Sequence, residues 1–309
     1  TGVQTCALPI LAYGLKARYT MHLLKRSANK DADMEKVLEY VNNSFESAEE
    51  QAAFDVYDAN NINPLYGFFV ARAGLGASES MRSKLAEYND PRLSRAFITK
   101  QGTSGKEQAP GTADNAVYAP NGTPEQGTSK YGTSLFMYSI SAPTLLLSYH
   151  ELKFLEAEAL CRLERDAKSA LKDAVVAGLL NAENSFTISR KELGKTLINA
   201  ASSITEAEAE SYFDNTIEAK YTAEPLKTTM TQKYFALWGA SGEATESYND
   251  VRRMKGLGEN FIELKNPNSF PLRCPYGNSD TTTNAEVKAA YGNGQYVYSE
   301  NVWWAGGSR

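Results

Sequence analysis

The chain has 309 residues, 42% of them hydrophobic and 22% charged, the mix of an ordinary globular protein with enough length for a sizeable core. Its 32 Lys+Arg against 37 Asp+Glu leave a net charge of −5, which argues against a nucleic-acid binder, because tracking phosphates needs a basic face. No apolar run approaches the roughly 20 residues that cross a bilayer, and only His22 and His150 are available for histidine chemistry.

Thr1–Ile10 (TGVQTCALPI) is uncharged and unlike the rest of the chain. Its back-translation resembles a sequencing-library adapter, so the native sequence is expected to begin at Leu11, as the C-terminal portion of a longer protein. Any signal peptide or lipid-attachment cysteine would then lie upstream. Setting Cys6 aside leaves Cys161 and Cys274, too few for a disulfide framework or a zinc cluster.

From Leu11 onward apolar residues recur at helical spacing. Leu11, Leu15, Tyr19, His22 and Leu23 form one stripe, and Met34, Val37, Leu38, Val41 and Phe45 form the next across a polar break. Two such stripes predict an antiparallel helical hairpin. A second hairpin is expected from Pro143, with Leu145, Tyr149, Leu152, Leu155, Ala159 and Leu163 on its first helix. Ala167, Ala170, Leu171, Ala174, Val175 and Leu179 mark its second.

Capping-box spacings at Ser189/Glu192 and, more clearly, Thr205/Glu208 predict further helix starts, and Pro225 opens a helix carrying Leu226, Met230, Tyr234 and Leu237. Strand patterns are scarce. A Gly-, Thr-, Ser- and Pro-rich stretch covers 99–134, and the tail after Leu257 reads as helix-poor. No compositional break divides 11–309. The expected fold class is mainly α, with helical hairpins carrying long irregular loops.

The residues offer little catalytic equipment. Gly102-Thr-Ser-Gly-Lys106 lacks the spacing of a P-loop, and there is no Gly-x-Ser-x-Gly elbow. His22 and His150 sit beside core positions and are expected to pack. Glu156 and Glu158 point in different directions from one helix. Glu243, Glu246 and Asp250 share a face that could approximate an acid–base or metal site; a solvated face with ion pairs to Arg252 and Arg253 is the favoured reading. Cys161 reads as a small buried apolar residue. No catalytic residue, metal or cofactor is expected.

Aromatic residues are more informative: 18 Tyr, 12 Phe and 3 Trp. Tyr118, Asn121 and Tyr131 place flat rings and an amide in the long loop, a combination that suits the apolar face and polar rim of a sugar. The competing expectation is that these tyrosines pin the loop to the helices.

Several stretches, taken in order, resemble the SusD/RagB family of nutrient-binding outer-membrane lipoproteins. These are Leu15-Lys-Ala-Arg-Tyr-Thr-Met-His-Leu23, the Asn89-Asp-Pro-Arg-Leu93 turn and Ser148-Tyr-His-Glu-Leu-Lys-Phe-Leu-Glu-Ala-Glu-Ala159. Gln232-Lys-Tyr-Phe-Ala-Leu-Trp238, Glu246-Ser-Tyr-Asn-Asp-Val-Arg-Arg253, Phe270-Pro-Leu-Arg-Cys-Pro-Tyr276 and Val302-Trp-Trp304 continue the series. Tyr248 departs from it, standing where a tryptophan is common. The resemblance implies tetratricopeptide-like hairpins and a non-enzymatic, surface-exposed lipoprotein of the outer membrane. Such a protein captures an oligosaccharide or peptide for a SusC-like TonB-dependent transporter. It also implies structural roles for Asp90, Arg92 and the Glu158 helix. Two rivals stand beside it: a helical-repeat adaptor that binds peptides, and a carboxylate-based glycoside hydrolase.

Overall fold

The computed structural model describes residues 2–72, 75–101, 106–108, 117–122, 130–194, 197–198, 201–240, 242–266 and 269–308. The first hairpin is α1 (Gly2–His22) and α2 (Lys30–Asn42), the latter capped by the Asn29 side chain, which accepts from the Ala32 N–H. Helix α1 continues through the adapter-like segment. There Leu8 is exposed, whereas Ile10 packs against the α1–α2 core and its carbonyl accepts the Ser44 hydroxyl at 2.8 Å.

The second hairpin is α6 (Tyr149–Arg162) and α7 (Lys168–Leu193). It starts later than Pro143 suggested. Thr144–Leu147 is instead a strand, β5, which buries Leu145 and Leu147, exposes Leu146 and pairs antiparallel with β1 (Ala52–Phe54). The effective start signal is Ser148, an N-cap whose hydroxyl accepts from the Glu151 N–H at 3.1 Å, while its own N–H is taken by Glu243 rather than by Glu151. Ser189 marks no helix start, because α7 runs through it. The Ser189 hydroxyl bonds the Ser185 carbonyl at 2.9 Å within that helix, and Gly194, with positive φ, ends it.

Thr205 does cap a helix, α8 (Glu206–Tyr212), accepting from the Glu208 N–H at 3.2 Å. This passes through a π-turn, Phe213–Ile217, into α9 (Glu218–Ala223). Pro225 opens α10 (Pro225–Ala236), which lies against α6 and α7, and α11 (Ala244–Leu257) follows. Gly239, between them at φ +79°, passes so close to the Phe136 ring that a Cβ would collide with it. The tail is less irregular than expected: α12 (Asn278–Thr283) and α13 (Ala285–Tyr291) are short helices, the second capped by Asn284. Sequence reading also missed α3 (Pro64–Arg72), α4 (Glu79–Glu87) and the single turn α5 (Leu93–Ala96). A small sheet in the order β4–β2–β3–β6 joins Thr133–Ser134, Phe97–Gln101, Lys106–Gln108 and Leu197–Ile198.

Helix α6 is buried on three sides; the fourth, carrying Tyr149, Lys153 and Glu156, is half-buried. Leu152, Leu155 and Ala159 face the α1–α2 core with Met21, Leu24, Met34 and Val37. Phe154 and Ala157 face a larger core with Leu171, Phe186, Phe213 and Phe235. Between these faces Glu151 and Glu158, seven residues and so two turns apart, project into the protein. Glu151 accepts Arg18 Nε of α1 at 3.0 Å, and Arg18 also reaches Glu243 at 3.1 Å. Burial and the neighbouring Glu151 push the Glu243 carboxyl well above the usual range.

Glu158 accepts Arg253 Nη2 at 2.8 Å and Arg162 Nε at 2.7 Å. Arg253 also binds Asp250 at 2.7 Å, Lys233 sits 2.8 Å from Asp250, and Arg162 holds Glu259 at 2.8 Å. Three carboxylates thus meet three cations. The face read as solvated is therefore largely interior: Glu243 and Asp250 are both buried. Arg252, expected to pair with an acid, donates instead to the Leu272 carbonyl and lies over Tyr248 and Trp304.

His150 is fully buried. Burial, then Arg92 and Lys233, draw its pKa down to about 3. His22, by contrast, is a boundary residue whose Nε2 lies 2.7 Å from Glu246.

Removing one partner of the buried network leaves the others uncompensated. Glu158→Gln is expected to cost about 3–5 kcal/mol in urea unfolding, whereas Asp33→Asn at the exposed Lys36 pair should cost under about 1 kcal/mol. His150 sets a pH dependence. The folded protein keeps it neutral while the unfolded chain takes a proton below about 6.5. Stability should therefore fall by roughly 1 kcal/mol per pH unit from there downward, toward the folded value near 3. His150→Gln should flatten that slope between pH 6.5 and 5.5 in denaturant titrations.

Candidate functional site

Among the described residues a wide cleft of about 1020 Å³ is formed where the long loop meets α4, α10 and the segment after α11. It sits at the upper end of the volumes that hold small-molecule ligands. Helix α4 forms one wall because Ser78 caps it, its hydroxyl accepting from the Met81 N–H at 3.3 Å. Met81 and Leu85 turn inward from α4, which leaves Glu79, Ser80, Ser83 and Lys84 toward the cleft. The helix closes in a Schellman motif: Asn89 takes φ +49°, its N–H bonds Ala86 O at 3.1 Å, and Asp90 N–H bonds Leu85 O at 2.9 Å. That turn delivers Tyr88 to the cleft and sends Asp90 and Arg92 inward.

Arg92 grips Asp90 through Nε at 2.8 Å and Nη2 at 2.6 Å and donates to the Phe235 carbonyl at 2.8 Å. Phe235 itself lines the cleft, edge-on to Tyr88 at 5.3 Å. Asp90 and Arg92 therefore do fix a turn, and the turn holds the cleft wall to α10.

Tyr118, Asn121 and Tyr131 all line this cleft. The loop ends that carry them are stitched to 75–79 by main-chain bonds: Ala119 N–H to Ala77 O and Ala77 N–H to Gly132 O, both 2.8 Å. The tyrosines are not idle, however. Tyr118 is only 6% exposed, belongs to the larger core and packs edge-on against Phe97 at 5.2 Å; Tyr131 is 7% exposed. Both rings therefore carry packing duty, which corrects the view of the loop as free of it. Burial raises the Tyr118 hydroxyl pKa, and the Arg82 guanidinium lies 5.2 Å from its ring centre. Asn121 is half-exposed; its carbonyl accepts the Ser78 hydroxyl at 2.7 Å and its amide reaches Asn266 at 3.5 Å.

Sequence reading missed Tyr88, Lys84, Phe261 and Glu263 as cleft residues. Lys84 is half-buried, so desolvation lowers its pKa, and its ammonium donates to Ser80 at 2.6 Å. Residues 102–105, 109–116 and 123–129 of the long loop, including most of the P-loop-like stretch, lie outside the described residues. A smaller cavity of about 440 Å³ lies along α7 beside Tyr149 and His150. Among the described residues no group of three His, Cys, Asp or Glu could hold a metal ion, and no helix is long and apolar enough to cross a membrane. Cys161 is half-buried against the larger core, its thiol 3.6 Å from the Thr229 hydroxyl, and Cys274 is exposed.

A scaffold of tetratricopeptide-like hairpins, rigid within and carrying a wide cleft at its loops, is the architecture of a ligand-binding protein. The family model described as starch-binding, associating with outer membrane, matches residues 11–276, and the chain belongs to this SusD-like family. It is 65% identical to a SusD/RagB family protein from Bacteroides thetaiotaomicron, with a TM-score of 0.92 over 98% of this chain and 65% of that one. The chain thus spans about two thirds of that relative's length. A SusD homolog from Bacteroides fragilis shares the fold at 18% identity, with a TM-score of 0.69 over 97% of this chain and 67% of that one. A chitin-binding protein does so at 18% identity and a TM-score of 0.65, over 97% and 65%. No curated protein sequence matches the chain.

The packing of Tyr118 has a measurable consequence. Tyr118→Ala should lower stability by roughly 3 kcal/mol, the low end for a buried aromatic residue. Asn121→Ala should leave the unfolding midpoint within experimental error.

Proposed function

We propose that this chain captures an oligosaccharide in the cleft between α4, the long loop and residues 260–265, and that the protein delivers it to a SusC-like TonB-dependent transporter. On this reading it works as a surface-exposed lipoprotein of the outer membrane and turns nothing over. The observation that carries the proposal is the cleft itself, which sets the half-buried Phe261 ring beside amide, hydroxyl and charged side chains in one concavity. Sugars call for that combination, since stacking takes the C–H face and directional donors and acceptors take the hydroxyls.

Family membership supports a carbohydrate ligand and an outer-membrane setting. The chitin-binding name of one structural neighbour supports a glycan as a ligand for this fold. Binding without turnover is supported by where the carboxylates flagged in the sequence have gone: Glu158 and Asp250 are spent on buried ion pairing and Glu243 is buried against Arg18 and the Ser148 N–H, so none of the three lines the cleft.

Calorimetric titration with malto-oligosaccharides, chito-oligosaccharides and short peptides tests the reading. One glycan series is expected to bind without product formation, and Phe261→Ala to weaken it about five- to tenfold. Asn121→Ala should weaken it with little change in melting. Binding of peptides alone would move the protein to the adaptor class, and release of shortened glycans would make it a hydrolase.

A further inference from the structure

A second concavity, of about 510 Å³, lies on the other side of the segment that walls the main cleft. Asn260, Ile262 and Glu263 line both. The two also meet through a side-chain contact: Asn121 of the main cleft donates its amide to Asn266 of the second at 3.5 Å. The border thus sets the amides of Asn260, Asn121 and Asn266 and the Glu263 carboxylate, groups that pair with hydroxyls, beside the apolar Ile262.

The second concavity contains two aromatic residues in different states. Phe270 is already engaged, with Tyr248 at 5.6 Å and the Lys255 ammonium 5.3 Å from its ring centre. Tyr298 is 60% exposed. An exposed tyrosine ring beside the side chains of Asn260, Asn266 and Ser269 repeats the ring-and-amide composition of the main cleft.

Resting on the oligosaccharide reading above, we propose that the two concavities are successive subsites of one groove. The ligand is then an extended glycan chain, not a single sugar or a disaccharide. One end lies in the main cleft, the chain crosses the Asn121–Asn266 border, and a later ring stacks on Tyr298. A short oligomer fills only the main cleft and gains nothing from Tyr298.

Calorimetry across an oligomer series of whichever glycan binds, beginning with maltose and longer malto-oligosaccharides and then the chitin series, tests this in the wild type and in Tyr298→Ala. Affinity should rise with chain length until the second concavity is reached. Tyr298→Ala should then weaken long oligomers roughly tenfold while leaving short ones unchanged. Equal affinity for short and long oligomers, or a Tyr298→Ala affinity equal to wild type at every length, would overturn the second subsite and leave the main cleft standing. Absence of glycan binding at any length would instead overturn the oligosaccharide reading, and this inference with it. Because Tyr298 is exposed, the variant should melt with the wild type, so a loss of affinity reports contact and not unfolding.

Discussion

Everything in this molecule is arranged around the two glutamates that α6 drives into the interior. A helix with apolar residues on two opposite faces can be buried between two cores, but the residues between those faces then have no route to water. In α6 these are Glu151 and Glu158, and each is met by an arginine from a distant element, Arg18 of α1 and Arg253 of α11. Buried ions are tolerated only when paired and hydrogen-bonded. The network meets that condition by balance: Arg162, Arg253 and Lys233 against Glu158, Asp250 and Glu259, with the Glu243 carboxyl pushed well above its usual range beside Glu151. Such a network adds little net stability over an apolar core, yet it penalises any packing that separates its partners. Its effect is to hold α1, α6, α10 and α11 in one relative placement.

That placement reaches the cleft through α10. Lys233 belongs to the ion network and Phe235, two residues on, lines the cleft, so the same helix is anchored on one side and functional on the other. Arg92 clamps the Phe235 carbonyl and Asp90 together, and the Tyr212 hydroxyl donates to Asp90 at 3.3 Å. The wall carrying Tyr88 is therefore fixed to the floor carrying Phe235 by a buried arginine, not by loop contacts. A concavity with walls preset in this way loses less freedom when a ligand enters, which favours affinity for a flexible chain.

The hairpins were legible because helical periodicity is a local signal, but in the first of them the face was legible only on the α2 stretch. There Met34, Val37, Val41 and Phe45 are core, whereas the α1 stretch buries Ala17, Met21 and Leu24 and leaves Tyr19 and Leu23 of the expected stripe exposed. Thr205 and Pro225 were legible for the same reason: a cap or a first-turn proline acts on its own helix. Pro143 misled because a proline is equally at home beside a strand, while Ser148, the N-cap of α6, carried the better signal. The fate of Glu243 and Asp250 was hidden. Spacing shows that two carboxylates share a face, but not that Arg18, 225 residues away in sequence from Glu243, will cover it. Tyr118, Asn121 and Tyr131, grouped from loop composition alone, do line one cleft. The α4 wall was not legible, because Ser78-Glu-Ser-Met81 resembles any polar stretch until Met81 and Leu85 are seen to face inward.

The burial of Tyr118 and Tyr131 decides what kind of recognition this cleft performs. Rings at 6% and 7% exposure shape a wall but offer little face for stacking, so they set the width of the cleft more than its strength. Recognition at such a wall falls to the polar groups beside it: Asn121, held by Ser78, and the half-buried Lys84. Directional groups of this kind discriminate among hydroxyl patterns, whereas an exposed ring such as Tyr298 accepts any flat apolar face. On the proposed reading, selectivity and grip are carried by different residues at opposite ends of one groove. Substitutions along α4 and the long loop would then change which glycan is chosen, without disturbing the buried ion pairs that hold the scaffold.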